Sequence, residues 1–297
     1  MVKMKNIFYI ICVFFLALCG CEKVINIKLD EGTPQLAVDA FINDKPGIQT
    51  IRLTKTSGYF ENNPSPEATG ATVTLTDNEG YIYNFTDGSN TGNYTWSAGS
   101  TTDTLVRIFN SYTLTINYSG EKFISTSIAF PAPNIDSLSY DTIQKSGGGG
   151  KAPGSKGYFA SFYANDISGM PNFYWIRSYN NGVFYSDPQY MNISQDGAFV
   201  GSASDGFLFI IPIREFITPQ DKPLQKNDSV TVEIHAINFE TYFFLQEVQQ
   251  QTTNAGLFAT PPANVATNIK NTDAASKIKA VGWFNIGAVT SNGIRIK

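Results

Sequence analysis

Thr72-Val73-Thr74-Leu75-Thr76-Asp77-Asn78-Glu79-Gly80-Tyr81-Ile82-Tyr83-Asn84-Phe85 is the stretch whose reading decides the fold. Residues 72–76 and 81–85 are rich in the β-branched and aromatic side chains that suit a pleated surface. Between them, Asn78 and Gly80 tolerate the positive φ of a tight hairpin turn. The acidic look of 77–80 also suggests calcium. An EF-hand loop, however, needs oxygen ligands at several spaced positions. Here the chain turns at once into Tyr81-Ile82-Tyr83, so the hairpin is the better reading.

Outward from this hairpin, strand-like runs recur at 35–42, 49–56, 92–96 and 111–118, separated by turn residues at short, regular spacing. That rhythm predicts an immunoglobulin-like β-sandwich over 35–130. The segment Ala129-Phe130-Pro131-Ala132-Pro133 is stiffened by proline and marks a domain boundary. Beyond it, 131–297 reads as a second β-rich, sandwich-like domain. Its strands are expected at 135–143, 158–165, 172–179, 207–212 and 229–237, with closing strands at 279–285 and 288–296. One element breaks the β pattern: Asn238 caps a helix near 238–251, expected to pack on the second sheet through Tyr242, Phe243, Leu245 and Val248. Pro261-Pro262 follows it.

A chain of 297 residues has room for two such domains. Only 15% of residues are charged while 13% are aromatic, and the formal net charge is -4. No basic face is concentrated enough to point to nucleic acid. Cys12, Cys19 and Cys21 are the only cysteines, and all stand at the start.

That start carries an address. Lys3 and Lys5 precede an apolar run over 7–18, and Leu18-Cys19-Gly20-Cys21 follows, similar to the lipobox of bacterial lipoprotein signals. The expected organisation is a signal peptide at 1–20, cleavage between Gly20 and Cys21, lipid on Cys21, and a tether at 21–34. Cleavage removes Lys3 and Lys5, lowering the 21 basic residues to 19 against 25 acidic ones. It also leaves one cysteine, which excludes an internal disulfide or a thiolate zinc site in the mature chain. Several acyl chains hold such a protein permanently, at about 0.8 kcal/mol per buried methylene. Glu22, unlike an aspartate, does not retain it in the inner membrane. The expected place is the outer membrane, with the outward-facing side preferred over the periplasmic side.

No catalytic or metal-binding constellation stands out. His235 is the only histidine. In Val230-Thr231-Val232-Glu233-Ile234-His235-Ala236 the alternation sets it on the face opposite the valines, which predicts a surface histidine rather than a general base. Asp166, Asp187, Asp196 and Asp205 could supply paired carboxylates, but all stand in turn-like contexts. The run Ser146-Gly147-Gly148-Gly149-Gly150-Lys151 continues into Ala152-Pro153, so it is a loop and not a phosphate cradle. Among the aromatics, Trp175, Tyr179, Tyr185 and Tyr190 could stack a peptide or glycan, and Tyr185 and Tyr190 are preferred because their surroundings are loop-like.

Three regions together resemble a Bacteroidota-type lipoprotein family known as domain of unknown function 4249. They are Cys21–27 with Pro34-Gln35-Leu36-Ala37-Val38-Asp39-Ala40-Phe41-Ile42; Asp166 with Asn172-Phe173-Tyr174-Trp175-Ile176-Arg177; and Asn264-Val265-Ala266-Thr267-Asn268-Ile269 with Ala280-Val281-Gly282-Trp283-Phe284. The chain departs where the family usually has a glycine-rich pair, carrying Asn271-Thr272-Asp273 instead. In such bacteria an Asp-Ser/Thr-aliphatic triplet accepts O-linked glycans, which makes Thr104, Ser137, Thr142 and Ser229 candidate acceptors. The resemblance carries no catalytic residues and no cofactor. It implies a noncatalytic, membrane-anchored accessory binding subunit for a TonB-dependent outer-membrane receptor in nutrient capture or import. The alternatives are a structural, adhesive or assembly component of an outer-membrane complex and, ranked last, a hydrolase.

Overall fold

The expected hairpin forms where the sequence places it. Strand β3 (Thr72–Asp77) pairs with β4 (Ile82–Phe85) around a turn in which Gly80 has φ +91°. The Asp77 carboxylate accepts from the amides of Glu79 and Tyr81 at 3.0 and 2.9 Å, satisfying the turn's donors from within. The computed structural model describes residues 32–58, 61, 63–99, 103–142, 157–199, 203–254 and 263–297. The signal peptide, Gly20, Cys21, the tether up to residue 31, the glycine run and Pro261-Pro262 lie outside the described residues.

Two sheets build the first sandwich. One joins β1 (Leu36–Asn43), β2 (Ile48–Lys55) and β5 (Asn93–Ser97) to β15 (Ala280–Gly287), in the order β15-β1-β2-β5. The other runs β14-β7-β6-β3-β4, with β6 (Ser111–Tyr118), β7 (Glu121–Ile128) and β14 (Lys270–Asn271). Strand β7 was not expected on its own; Ser119 and Gly120, at φ +53° and +82°, form the two-residue turn that creates it. The facing sides bury Val38, Ile51, Leu53, Leu75, Leu114, Ile116, Phe123 and Phe284, each worth about 1.5–3 kcal/mol of removed apolar surface. Buried Tyr94 ties the 68–71 loop to this core, its hydroxyl donating to Ala68 O and accepting from Ala71 N.

The second sandwich sets β10 (Phe173–Asn180), β11 (Val183–Phe184), β13 (Ser229–Ile237) and β16 (Val289–Arg295) in one sheet, ordered β11-β10-β13-β16, with β12 (Asn192–Gln195) also on β10. Opposite it lie β8 (Ile135–Asp141), β9 (Phe159–Ala164) and the short helix α1 (Ile211–Glu215) around Phe162, Tyr174, Phe209, Val232 and Ile234. Residues 207–212 were expected as a strand; Pro212 instead sits in the first turn of α1, where its fixed φ fits and its missing N–H costs nothing. The main helix α2 (Phe239–Thr253) begins as expected, with Asn238 Oδ1 accepting from Thr241 N at 2.7 Å.

The division at residue 130 needs correction. Strand β15, expected in the second domain, and the short β14, not expected as a strand, complete the first sandwich, β15 running parallel to β1 from Leu36↔Ala280 to Asn43↔Gly287. Gly282 makes that approach possible: its φ is +91°, and a Cβ there would lie 2.0 Å from Val38 O. The chain therefore crosses between sandwiches three times, and the first and last crossings are bonded to each other through Ala288 N and Phe130 O at 2.9 Å. Residues 33–297 accordingly form one compact unit. Among the described residues no helix is long and apolar enough to cross a membrane.

Candidate functional site

Helix α2 lies between the two sandwiches and is held on one side only. Trp283 of β15 stacks on Phe244 at 4.5 Å, and its indole N–H donates to Thr241 Oγ1 at 2.7 Å. Leu245 is buried beside Phe173 and Ile237 of the second sandwich, and Gln249 Nε2 donates to Met191 O at 2.9 Å. With that side fixed, the helical spacing turns Phe239 and Phe243 outward, 53% and 44% exposed. Their rings meet edge to face at 4.7 Å, and Phe173 at the head of β10 lies 5.5 Å from Phe239.

Beneath this patch a cleft of about 620 Å³ opens at the junction of the two sandwiches. That volume lies within the range of small-ligand sites. Its walls include Ile128, Phe130, Met170, Phe173 and Phe239, with Glu240 the only charged residue among those lining it. The side-chain amides at its rim are already engaged. Asn172 Nδ2 donates to Ile167 O and Met170 O, Asn238 Nδ2 to Ser127 Oγ, and Asn268 bonds both Phe284 N and Phe284 O.

One wall is a strand edge. The two-residue turn at Ser119-Gly120 makes Tyr118↔Glu121 a bonded pair, so Phe123, Ser125 and Ser127 bond β6 while alternate residues point their N–H and C=O groups the other way. On that outer edge β14 covers only Phe123 and Ile124, Thr272 N reaches Lys122 O, and Ala288 N reaches Phe130 O. Between these partners, Thr126 and Ile128 face the cleft. Among the described residues no backbone bond beyond the β6 ladder reaches either. The opening exists because Asn268 leaves the line of β14 and turns to β15.

The residues preferred from sequence lie elsewhere. Tyr185 and Tyr190 do come together, edge to face at 6.1 Å, but in a closed arrangement. Tyr190 Oη donates to Asp221 at 2.6 Å and Lys222 Nζ stands 4.8 Å over its ring. The space beside the pair measures about 30 Å³, enough for a water and not for a sugar ring. The Asp221 hydrogen bond pushes the Tyr190 hydroxyl up to about 12. Thr104, Ser137, Thr142 and Ser229 are all exposed, as acceptors of a modification must be.

His235 is a correction. It is 7% exposed rather than on the surface. The face of β13 opposite the valines is covered too, by Trp175 at 6.0 Å and by Lys45 from the β1–β2 turn. His235 Nε2 lies 2.9 Å from Glu233, which also accepts from Tyr179 at 2.8 Å and Lys45 at 2.5 Å. Burial would raise the Glu233 carboxyl, but these three donors hold it well below its usual range, so it stays ionised. Burial pushes His235 below its ordinary value against the opposing pull of Glu233, which makes it a neutral ring donating to that carboxylate. Sequence reasoning missed Phe239 and Phe243 as surface residues. The available signal was the crowding of Phe239, Tyr242, Phe243, Phe244 and Leu245 into two turns, more apolar width than one buried face accepts.

The motifs quoted from the sequence prove to be joints of this architecture. Asp166 accepts from Tyr174 Oη at 2.6 Å, Asn268 and Gly282 fit β15 into place, and Asn271 spans the turn before β15 by donating to Glu121 and to Ile278 O. The molecule is thus a double β-sandwich with an aromatic-walled cleft at its junction. It belongs to the family described as domain of unknown function DUF4249, whose model matches residues 22–292. No curated protein matches the chain. Among solved structures it is similar to a two fibronectin type-III domain segment from chicken tenascin, at 9% identity over 68% of this chain and 90% of that one, with a TM-score of 0.21. At that score the sandwich assignment rests on the strand order given above.

Proposed function

We propose that this protein is a lipid-anchored lipoprotein of the Bacteroidota outer membrane, exposed on its outward face, that serves a TonB-dependent receptor as a noncatalytic binding subunit in nutrient capture or import. The observation that carries the binding role is the cleft itself: about 620 Å³, largely apolar, walled by exposed Phe239 on which exposed Phe243 packs, and built where two sandwiches meet. The lone histidine supports a noncatalytic role, since it is enclosed, bonded to Glu233 and absent from the cleft lining. The lipobox ending at Cys21 supports the anchor, and the family resemblance supports the receptor partnership.

The test is purification of the tagged, lipidated full-length protein from detergent-solubilised outer membranes, with mass spectrometry of whatever accompanies it. A barrel receptor in stoichiometric amount is expected, as is acyl label on the wild-type chain that disappears in Cys21→Ser. Recovery without a barrel overturns the receptor partnership and turns the reading to an adhesive or structural role.

A further inference from the structure

We infer that the cleft binds a short, extended oligopeptide that pairs with the open edge of β7 at Thr126 and Ile128. This rests on the reading of the cleft as the ligand site and names its ligand class. A glycan is read by free side-chain amides, hydroxyls and carboxylates, yet Asn172, Asn238 and Asn268 have spent their amides inside the protein. What faces the cleft instead is an edge of backbone donors and acceptors two residues apart, about 7 Å along the strand. A peptide in strand conformation repeats its own donors and acceptors at that interval, and its alternate side chains fall on one side. Phe239, Phe173 and Ile128 line the cleft to receive apolar side chains.

Two features narrow the occupant further. The edge is closed at both ends, by β14 at Ile124 and by the Ala288–Phe130 bond, so it accepts about four residues and not a long strand of a partner protein. A free oligopeptide fits that length. Glu240, the only charge in the lining, sits in the first turn of α2 and favours a peptide bearing a lysine, an arginine or a terminal ammonium.

The test uses the lipidated full-length protein in lipid nanodiscs and a pool of synthetic pentapeptides with an N-terminal lysine and apolar residues at alternate positions, with neutral glucose oligosaccharides in parallel. Retention of pentapeptides is expected, with binding weakened at least tenfold by Phe239→Ala combined with Phe243→Ala and several-fold by Glu240→Gln. Thr126→Pro removes an edge amide at a position where the β6 ladder is not interrupted, so the protein keeps its thermal midpoint and loses at least tenfold in affinity. Methylating alternate backbone nitrogens of a retained peptide has the same effect from the ligand's side. Peptide binding indifferent to both backbone changes overturns the strand pairing. Oligosaccharide retained in place of peptide, and lost in the double phenylalanine variant, overturns the peptide inference while the cleft remains the ligand site. Retention of neither overturns the cleft reading as well.

Discussion

The outer face of β10 and β13 and the outer face of α2 are both crowded with rings, yet they end in opposite conditions. On these strands and the loop beside them, His235, Tyr179, Tyr185 and Tyr190 carry polar tips that suit a wet surface, but Glu233 and Asp221 capture three of those tips, and His235 is enclosed. On the helix, Phe239 and Phe243 carry nothing polar and remain in solvent. The difference teaches that side-chain chemistry proposes a location and the neighbouring element disposes of it. Lys45 and Trp175 cover the strands, whereas Trp283 occupies the other side of the helix and leaves Phe239 and Phe243 against each other, Phe173 and Tyr242 with their outer sides in solvent.

The largest break in this contrast comes from Trp283→Ala. It removes the stack on Phe244 and the donor to Thr241 together, leaving α2 tied to β15 through the Thr241–Asn285 hydrogen bond. The expected cost is about 3–5 kcal/mol, the range for truncating a buried aromatic. It is read as a fall in the urea midpoint at unchanged slope. A loss below about 1 kcal/mol would mean that α2 is held without the Trp283 stack, by the second sandwich and the Thr241–Asn285 bond.

Acid tests the enclosed side next. The folded His235 resists protonation, so above pH 6.5 its ring is neutral in both states, and below 6.5 the unfolded chain gains a proton that the folded chain refuses. Stability therefore falls as the pH drops. Glu233, held below its ordinary 4.5, adds a second loss beneath that value. Each tenfold difference in proton affinity between the two states amounts to about 1.4 kcal/mol. His235→Asn keeps a donor beside Glu233 without a titrating ring, so its stability between pH 6.5 and 4.5 is expected to be flatter than that of the wild type; an unchanged slope would place the acid sensitivity elsewhere.

A thiol sharpens the exposure contrast directly. With Cys21 acylated as proposed, an introduced cysteine is the only free thiol of the mature chain. Phe243→Cys should react with a maleimide at least tenfold faster than Tyr185→Cys under native conditions. Equal rates would show that the closed tyrosine pair opens as freely as the helix patch.

Local chemistry was legible in the sequence, and neighbours across space were not. The Asp77–Gly80 turn, the Asn238 cap and the alternation of β1 and β6 depend on residues within a few positions of one another, and each forms where its sequence predicts. Most of the misreadings are long-range. Strand β15 joins β1 across more than two hundred residues, and nothing in Ala280-Val281-Gly282-Trp283-Phe284 announces a parallel partner except the glycine that lets Val38 approach. The strand expected at 207–212 failed on one local clue given too little weight, Pro212. The cleft was invisible for a stronger reason: its strand edge is defined by where β14 stops, and β14 stops because of one asparagine side chain bonding Phe284.

The smallest effect is expected at Tyr190, and it is the sharpest check on the tyrosine pair. Asp221 raises the hydroxyl to about 12 from an ordinary 10, so the folded protein keeps this proton over a range in which the unfolded chain loses it. The stability carried by the Tyr190–Asp221 bond is whole below pH 10 and is lost as the pH climbs toward 12. Tyr190→Phe removes that single contribution while Tyr83 and Tyr179, also pushed up to about 12, keep theirs. One phenolate should disappear from the ultraviolet titration near pH 12, and pentapeptide affinity should change less than twofold, because Tyr190 is absent from the cleft lining. A tenfold loss of affinity in Tyr190→Phe would reverse the contrast and return the ligand to the tyrosines.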